Sequence, residues 1–240
     1  MRHLIDLDAP GAAGAGLLGP GATCQIRDVR GPGAGPYANP SSERLYFVLS
    51  GAPVLEPGGV VLGIEDLVHA PPGAQARLSG KPADRWLEVV VPVPEDQAGA
   101  AAEAQVVRVD RARFEGGGFA HQSLVDRSSG SRAVRINMIE VAPGAGSPDF
   151  HIHAFDQLYL ILQGRMQVEI GVTRMSAGPM TLVYLPAGVV HRNYNVGPGL
   201  ERHISLLVPE PAAGAVFDYA VEIHPREAEM MQAVPEHKDV

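Results

Sequence analysis

Short apolar runs recur along the chain, and most of them end at a glycine or a proline. Examples are LYFVLSG at 45–51, RINMIEV at 135–141 and LYLILQG at 158–164. Their branched and aromatic side chains favour β-strands, and segments such as PGAG and NVGPG between the runs have turn compositions. Only PREAEMMQAV at 225–234 has a pattern that predicts a helix. The sequence therefore predicts an all-β fold of the sandwich or barrel type.

The order of these runs repeats itself along the chain. Four pairs of segments match in the same order: 26–35 with 138–146, 43–51 with 156–164, 67–73 with 182–188, and 85–92 with 202–209. The clearest pair is ERLYFVLSG and DQLYLILQG, which are 113 residues apart. A conserved order at a slowly drifting offset indicates two homologous units in tandem.

A stretch rich in proline, alanine and acidic residues, PVPEDQAGAAAEAQ at 92–105, separates the two repeats. Such a composition is typical of a linker or a short connecting helix. We assign residues 1–98 to the N-terminal domain, 99–105 to the linker and 106–240 to the C-terminal domain.

Charge and composition exclude several classes of partner. The 240 residues include 27 acidic and 19 basic side chains, for a net charge of −8. Because lysine and arginine are not clustered, neither nucleic acid nor an anionic membrane is expected as a partner. No apolar run is long enough to span a bilayer, and no secretory signal precedes the first acidic residues, so we expect a cytoplasmic protein. The single cysteine, Cys24, excludes an internal disulfide.

Three histidines in the second repeat have the spacing of a metal site. His151 and His153 are two residues apart, which places both imidazoles on one face of a strand. Gln157 follows at the start of the next apolar run, and His191 follows a Pro-x-Gly turn. Converging neutral imidazoles are suitable ligands for a divalent transition metal.

The segments around these histidines resemble the two sequence motifs of the cupin superfamily. GAGSPDFHIHAFDQLYLILQG at 144–164 is similar to the first motif, G-x5-H-x-H-x3,4-E-x6-G. GPMTLVYLPAGVVHRNYN at 178–195 is similar to the second, G-x5-P-x-G-x2-H-x3-N. The resemblance implies a jelly-roll β-barrel with a metal at its mouth. The internal repeat extends this expectation to two tandem cupin domains, an arrangement called a bicupin.

By this resemblance His151, His153 and His191 are metal ligands, and Gln157 stands where the family has a glutamate. We expect one divalent transition metal, with Fe as the first candidate and Mn, Ni or Zn as alternatives. Gln157 is expected either to bind the metal through its amide oxygen or to hydrogen-bond a metal-bound water. Because these ligands do not neutralise a divalent ion, the site should favour an anionic ligand.

The first repeat lacks the corresponding groups. Arg44 stands at the position of Gln157. The positions of the three histidines are taken by Ala38, Pro40 and Ala76. We therefore predict that the N-terminal barrel holds no metal and acts as a scaffold, packing partner or lid.

Two further residues are candidates for catalysis. Tyr159 shares the inward face of Gln157, where the alternative is a tyrosine packed in the core. His203 is a candidate acid or base if its strand face lines the barrel, and otherwise lies at the surface or behind the ligands. On the strand at 135–141 the sequence leaves two faces open for the cavity: Arg135, Asn137 and Ile139, or Ile136, Met138 and Glu140. His121 is expected at the surface, and Asp156 and Glu201, which flank the motifs, are expected at solvated turns.

The resemblance implies a metal-dependent enzyme acting on a small anionic substrate, such as an enolate, a phenolate or a carboxylate. A dioxygenase is the first hypothesis. The alternatives are a non-redox isomerase, cyclase, lyase or amidohydrolase, similar to the ureidoglycine aminohydrolases, and a metal-anchored binding module without turnover. Cupin subunits commonly pair barrel edges, so the resemblance also allows a homodimer.

Overall fold

The computed structural model of the protein describes residues 3–13, 16–33, 39–94, 103–131 and 133–222. Regular structure in this part of the chain consists of β-strands and two single-turn 3-10 helices, Arg111–Arg113 and Arg127–Ser129. The predicted all-β fold class is thereby confirmed. The helix predicted at 225–234 and most of the predicted linker lie outside the described residues. None of the described helices has the length and apolar character that crossing a bilayer would require.

The described residues contain twenty strands, numbered here in chain order. The first nine are β1 (Leu4–Asp6), β2 (Gln25–Arg30), β3 (Ser42–Ser50), β4 (Val54–Glu56), β5 (Val60–Val61), β6 (Leu67–Ala70), β7 (Arg77–Ser79), β8 (Arg85–Pro92) and β9 (Gln105–Val107). The next eleven are β10 (Glu115–Gly116), β11 (Phe119–Val125), β12 (Arg135–Val141), β13 (Gly146–Ile152), β14 (Asp156–Gln163), β15 (Met166–Ile170), β16 (Thr173–Ala177), β17 (Thr181–Leu185), β18 (His191–Asn195), β19 (Glu201–Val208) and β20 (Tyr219–Ala220).

Each unit consists of two sheets that enclose a core. The N-terminal unit has the sheets β2-β8-β3-β6-β9 and β5-β4-β7. The C-terminal unit has the sheets β1-β17-β14-β19-β12-β11-β10 and β16-β15-β18-β13-β20. The order β2-β8-β3-β6 of the first repeat recurs as β12-β19-β14-β17 in the second. The two tandem barrels predicted from the repeat are thus present.

The two units exchange one strand each. Strand β1 precedes the first repeat in sequence, yet it pairs with β17 of the C-terminal unit. Strand β9 precedes the second repeat, yet it pairs with β6 of the N-terminal unit. Residues 106 and 107, which the sequence boundaries assign to the C-terminal domain, therefore extend the N-terminal sheet. Cutting the chain between the repeats would remove an edge strand from each barrel.

The large sheets of the two units pack against each other and form one continuous core. Leu45 and Phe47 of β3 and Leu158 and Leu160 of β14 belong to this shared cluster. The side chains between them, such as Tyr159, point into their own barrel. Both faces of β3 and β14 are therefore buried, which explains why these strands read as uninterrupted apolar runs.

The interior of the N-terminal barrel is filled by large side chains. Trp86 and Tyr46 are 2% exposed and belong to its core cluster. Arg44, at the position equivalent to Gln157, forms an ion pair with Glu88 at 3.4 Å. Ala76, at the position equivalent to His191, packs in the same core. The position of Ala38 lies outside the described residues, and the absence of a metal from this barrel stays a prediction.

Candidate metal centre and its cavity

Three imidazoles meet inside the C-terminal barrel. His151 on β13 lies directly opposite His191 on the neighbouring β18. His153 follows two residues later on the same side of the chain, and its carbonyl oxygen accepts a 2.8 Å hydrogen bond from the N–H of Gly188. Gly188 adopts a positive φ of 77°, so the Pro-x-Gly turn delivers His191 next to the other two rings. Candidate ligand atoms of the three residues lie within 4.8 Å of one another.

Backbone carbonyls orient all three rings. The Nδ1 atom of His151 donates to the carbonyl of Asp149 at 2.8 Å, and that of His191 donates to the carbonyl of Val189 at 2.9 Å. The Nδ1 atom of His153 donates at 2.9 Å to the carbonyl of Phe217, just before β20. With Nδ1 protonated, each ring keeps its lone pair on Nε2, which is the tautomer that a metal ligand needs.

The free Nε2 atoms fit a metal ion. Those of His153 and His191 are buried and have no hydrogen-bond partner. Burial, and to a smaller extent the neighbouring imidazoles, lower the pKa of His191 to about 4 against the opposing effect of the Val189 carbonyl. Burial likewise lowers the pKa of His153. Both rings are therefore neutral near pH 7, as metal binding requires.

Gln157 lies in the wall beside the histidines. Its backbone pairs with Leu185 of β17 on one side and with Leu207 of β19 on the other, near the ends of these strands. Its amide oxygen is buried and has no hydrogen-bond partner. An acceptor oxygen left unsatisfied in this position suits either of the two predicted roles, direct ligation or a bond to a metal-bound water, and both stay predictions.

A cavity of about 310 Å³ opens in front of the histidine cluster. One wall of the cavity is formed by β14, β19 and β12, whose inward-facing residues alternate along each strand and align in rows across the three strands. One row is Gln157, Leu207 and Arg135; the next is Tyr159, Ser205 and Asn137; the third is Ile161, His203 and Ile139. Phe119, Phe217 and Asp218 form part of the rim.

Both catalytic candidates line this cavity. The rings of Tyr159 and His203 are 4.9 Å apart and meet edge to face. The Tyr159 hydroxyl donates to the amide oxygen of Asn193 at 3.4 Å, and burial strongly raises its pKa, so it is a neutral phenol. The geometry brings both candidates to the site, and their catalytic roles stay predictions.

Glu201 is a residue whose role the sequence did not reveal. Its two carboxylate oxygens lie 2.9 and 3.0 Å from Nδ1 of His203, and both side chains are 1% exposed. The expectation that Glu201 lies at a solvated turn is therefore wrong, because β19 begins at this residue and carries it into the barrel. The Nε2 atom of His203 is left buried and unpartnered. The alternation of Glu201, His203 and Ser205 on one strand face is the signal that could have indicated this pair.

The sequence also did not place several other residues at the cavity. Pairing of β12 with β19 shows that Arg135, Asn137 and Ile139 form the inward face, which settles the open choice of register. His121, expected at the surface, is half-buried at the cavity because β11 extends the same sheet. Phe217 reaches the rim from the segment that leads into β20, and its place there depends on the pairing of β20 with β13.

Comparison with known proteins agrees with this geometry. Residues 137–204 match the cupin domain family. A protein of Streptomyces coelicolor described as uncharacterized is 29% identical over 58 residues, which make up 24% of this chain and 55% of that protein. The matched region thus spans about half the length of this curated relative.

Several solved structures share the fold over most of the chain. A cupin 2 conserved barrel domain protein from Leptotrichia buccalis is 13% identical, with 80% of this chain and 86% of that chain covered and a TM-score of 0.59. Salicylate 1,2-dioxygenase from Pseudaminobacter salicylatoxidans is 11% identical, covers 77% and 70%, and has a TM-score of 0.59. Oxalate decarboxylase from Bacillus subtilis, which has Mn(II) centres, is 12% identical, covers 84% and 72%, and has a TM-score of 0.58.

At such identities the likeness establishes the shared fold and leaves the reaction open. The match of residues 137–204 identifies a cupin domain in the C-terminal barrel, which holds the histidine cluster, and the solved structures share the two-barrel fold over most of the chain.

Proposed function

We propose that this protein is a metal-dependent enzyme that acts on a small anionic organic substrate, with a dioxygenase using Fe as the first reaction class. The observation that carries the proposal is the convergence of three Nε2 lone pairs on one wall of a substrate-sized cavity. The orienting bonds from each Nδ1 to a backbone carbonyl hold the rings ready for an ion.

The charge of the site favours an anion. Three neutral imidazoles and the neutral amide of Gln157 leave the two positive charges of a divalent ion uncompensated. A bound enolate, phenolate or carboxylate would neutralise them. Salicylate and oxalate, named in two of the structural relatives, are acids of this kind.

A bound metal would polarise the substrate oxygens, and an Fe ion could also relay electrons from the substrate, which is oxidised, to O2, which is reduced. The residues of the chain then have separate tasks. Gln157 orients a ligand beside the histidines, and Nε2 of His203 accepts or returns a substrate proton. Glu201 holds the His203 ring through its Nδ1. Apolar side chains such as Ile139 and Leu207 exclude bulk water, which strengthens the electrostatic interactions in the cavity.

The Glu201–His203 pair favours a second candidate function. A buried imidazole oriented by a carboxylate is suited to proton transfer, which isomerases, lyases and hydrolases require and many oxygenases do not. In this case a Mn, Ni or Zn ion would act only as a Lewis acid.

The first experiment measures metal by elemental mass spectrometry in protein purified without a histidine tag or chelator. We expect about one ion per chain in the wild type, and loss of that ion in His191→Ala. The matched control His121→Ala changes a histidine of the same cavity outside the cluster and should keep the metal. No bound metal in the wild type, even after reconstitution with each candidate ion, would refute the proposal.

The second experiment measures oxygen uptake with a panel of phenols, 1,3-diketones and 2-oxo acids. Uptake that depends on His191 would support the dioxygenase. Conversion of a panel member without oxygen uptake would favour the second candidate. Tight binding without turnover of any member would instead indicate a binding module.

A further inference from the structure

Arg135 presents an unpaired cation to the catalytic cavity. Its Nε donates to the amide oxygen of Asn137 at 3.3 Å, and its guanidinium lies over the ring of Phe217, 5.6 Å from the ring centre. These contacts use Nε and one flat face of the group. In the described part of the chain, no carboxylate lies within ion-pair distance of it and no acceptor binds its two terminal nitrogens, while Glu210 interacts with it only through longer-range electrostatics.

Two other arginines of the same barrel do form ion pairs. Arg192 pairs with Glu169 at 2.8 Å, and Arg202 pairs with Glu65 at 2.8 Å. Since a half-buried charge without a partner is unfavourable, its presence at a cavity wall indicates a site for a ligand of opposite charge. The planar fork of an arginine matches a carboxylate with two parallel hydrogen bonds.

Strand pairing places Arg135 two strands away from Gln157 on the cavity wall. Arg135 and Gln157 both pair with Leu207, so the three residues form one row across adjacent strands. With a strand spacing of about 4.8 Å, the backbones of Arg135 and Gln157 are roughly 10 Å apart. A molecule held at both points therefore has two anionic ends separated by a few carbon atoms.

The other groups of the cavity are compatible with a ligand that has two anionic ends and an apolar middle. The carboxylate of Asp218, also on the rim, lies 3.4 Å from Nδ1 of His153 and is directed toward the histidine cluster. The apolar side chains of Phe119 and Phe217 border the space between the two ends. Asn137 limits the movement of the guanidinium through its bond to Nε.

We infer that Arg135 is a specificity-determining residue that binds a carboxylate at the end of the substrate away from the metal. The substrate class is then an organic acid with a metal-chelating end and a distal carboxylate. This inference rests on the proposed function, and it adds a second anionic group to the proposed substrate.

The test compares matched pairs of 2-oxo acids that differ only in the distal carboxylate. The pairs are 2-oxopentanoate with 2-oxoglutarate and 2-oxohexanoate with 2-oxoadipate. Affinities are measured by calorimetry with the metal-loaded wild type, with Arg135→Gln, and with Arg165→Gln as the control. Arg165 is an exposed arginine whose side chain donates to the hydroxyl of Ser176 on β16, in the other sheet of the barrel.

We expect the diacid of at least one pair to bind about tenfold more tightly than its partner to the wild type and the control. Arg135→Gln should abolish this ratio while its metal content and its affinity for the monoacids stay unchanged. A ratio near one in the wild type, or a ratio that survives in Arg135→Gln, would overturn the inference and leave the proposed function intact. Metal-loaded wild type that binds neither member of any pair would instead contradict the anionic substrate of the proposed function itself.

Discussion

Thr23 of the first repeat binds the carboxylate of Asp156 in the second. The N–H and the hydroxyl of Thr23 both donate to one oxygen of Asp156, at 3.2 and 2.8 Å. The hydroxyl of Tyr184 donates to the same oxygen at 2.9 Å, and the N–H of Ala187 donates to the other. Asp156 is 5% exposed, so its expected place at a solvated turn is wrong.

The same arrangement occurs in the opposite direction. Glu43 is the repeat equivalent of Asp156, and its carboxylate accepts a 2.8 Å bond from the hydroxyl of Ser131, in the second repeat. His69, the equivalent of Tyr184, lies 3.2 Å from the same carboxylate oxygen. Each repeat therefore contributes a hydroxyl to a buried carboxylate of the other, and these paired contacts tie the two barrels together.

The first prediction concerns this link between the barrels. Thr23→Val removes a hydroxyl donor from a buried carboxylate and should lower the free energy of unfolding by about 1.5–3 kcal/mol. Urea denaturation measures the change, with the exposed Thr173→Val as a control that should alter stability little. Because Thr23 and Asp156 act on each other, the double variant Thr23→Val/Asp156→Asn should cost less than the sum of the single variants. Strict additivity would show that the contact contributes nothing.

The second prediction concerns the glutamine of the metal site. Gln157→Glu places a carboxylate among the three imidazoles, so metal affinity should rise, by about tenfold or more in competition with a chelator. The same change lowers the net positive charge of the site and should weaken the binding of anionic ligands such as 2-oxopentanoate. Stronger anion binding in this variant would contradict the charge argument. Gln163→Glu, at the exposed end of the same strand, is the control.

The third prediction concerns the orientation of His203. The Glu201 carboxylate next to Nδ1 holds the proton there, so long-range proton–nitrogen NMR spectra should show an unprotonated Nε2 in this ring. Glu201→Leu should abolish that preference and lower turnover of any substrate found in the panel by about 10²–10⁴-fold, the usual contribution of general acid–base catalysis. Metal content should stay at the wild-type level, which separates loss of orientation from loss of the site. An unchanged rate in the folded variant would contradict the orienting role of Glu201.

The fourth prediction concerns the single cysteine. Burial, together with the negative charge of Asp156, raises the pKa of the Cys24 thiol to about 12. Since the thiolate is the reactive form, a raised pKa leaves very little of it at pH 8. The native protein should therefore not react with a thiol reagent such as DTNB, whereas one equivalent should react in denaturant. Fast labelling of the native protein would mean that the region around Thr23 opens readily.

The sequence alone determined the elements that depend on local pattern. Strand periodicity and turn composition predicted the all-β class, and the matched segments at 43–51 and 156–164 predicted two barrels. The spacing of His151 and His153 placed them on one strand face, and a Pro-x-Gly turn marked His191. These features could be predicted because each depends on residues that are close in the chain.

Tertiary structure alone decided which distant residues meet. The exchange of β1 and β9, the Thr23–Asp156 contact and the pairing of β12 with β19 all join segments far apart in sequence. Pairing register moved Arg135 and His121 to the cavity and buried Glu201 beside His203. A strand pattern states that alternate residues share a face, and only the packing of sheets determines which face is inside. For this reason the three clustered histidines and the candidates Tyr159 and His203 were found from the sequence, while the burial of Glu201 and the inward position of Arg135 were not.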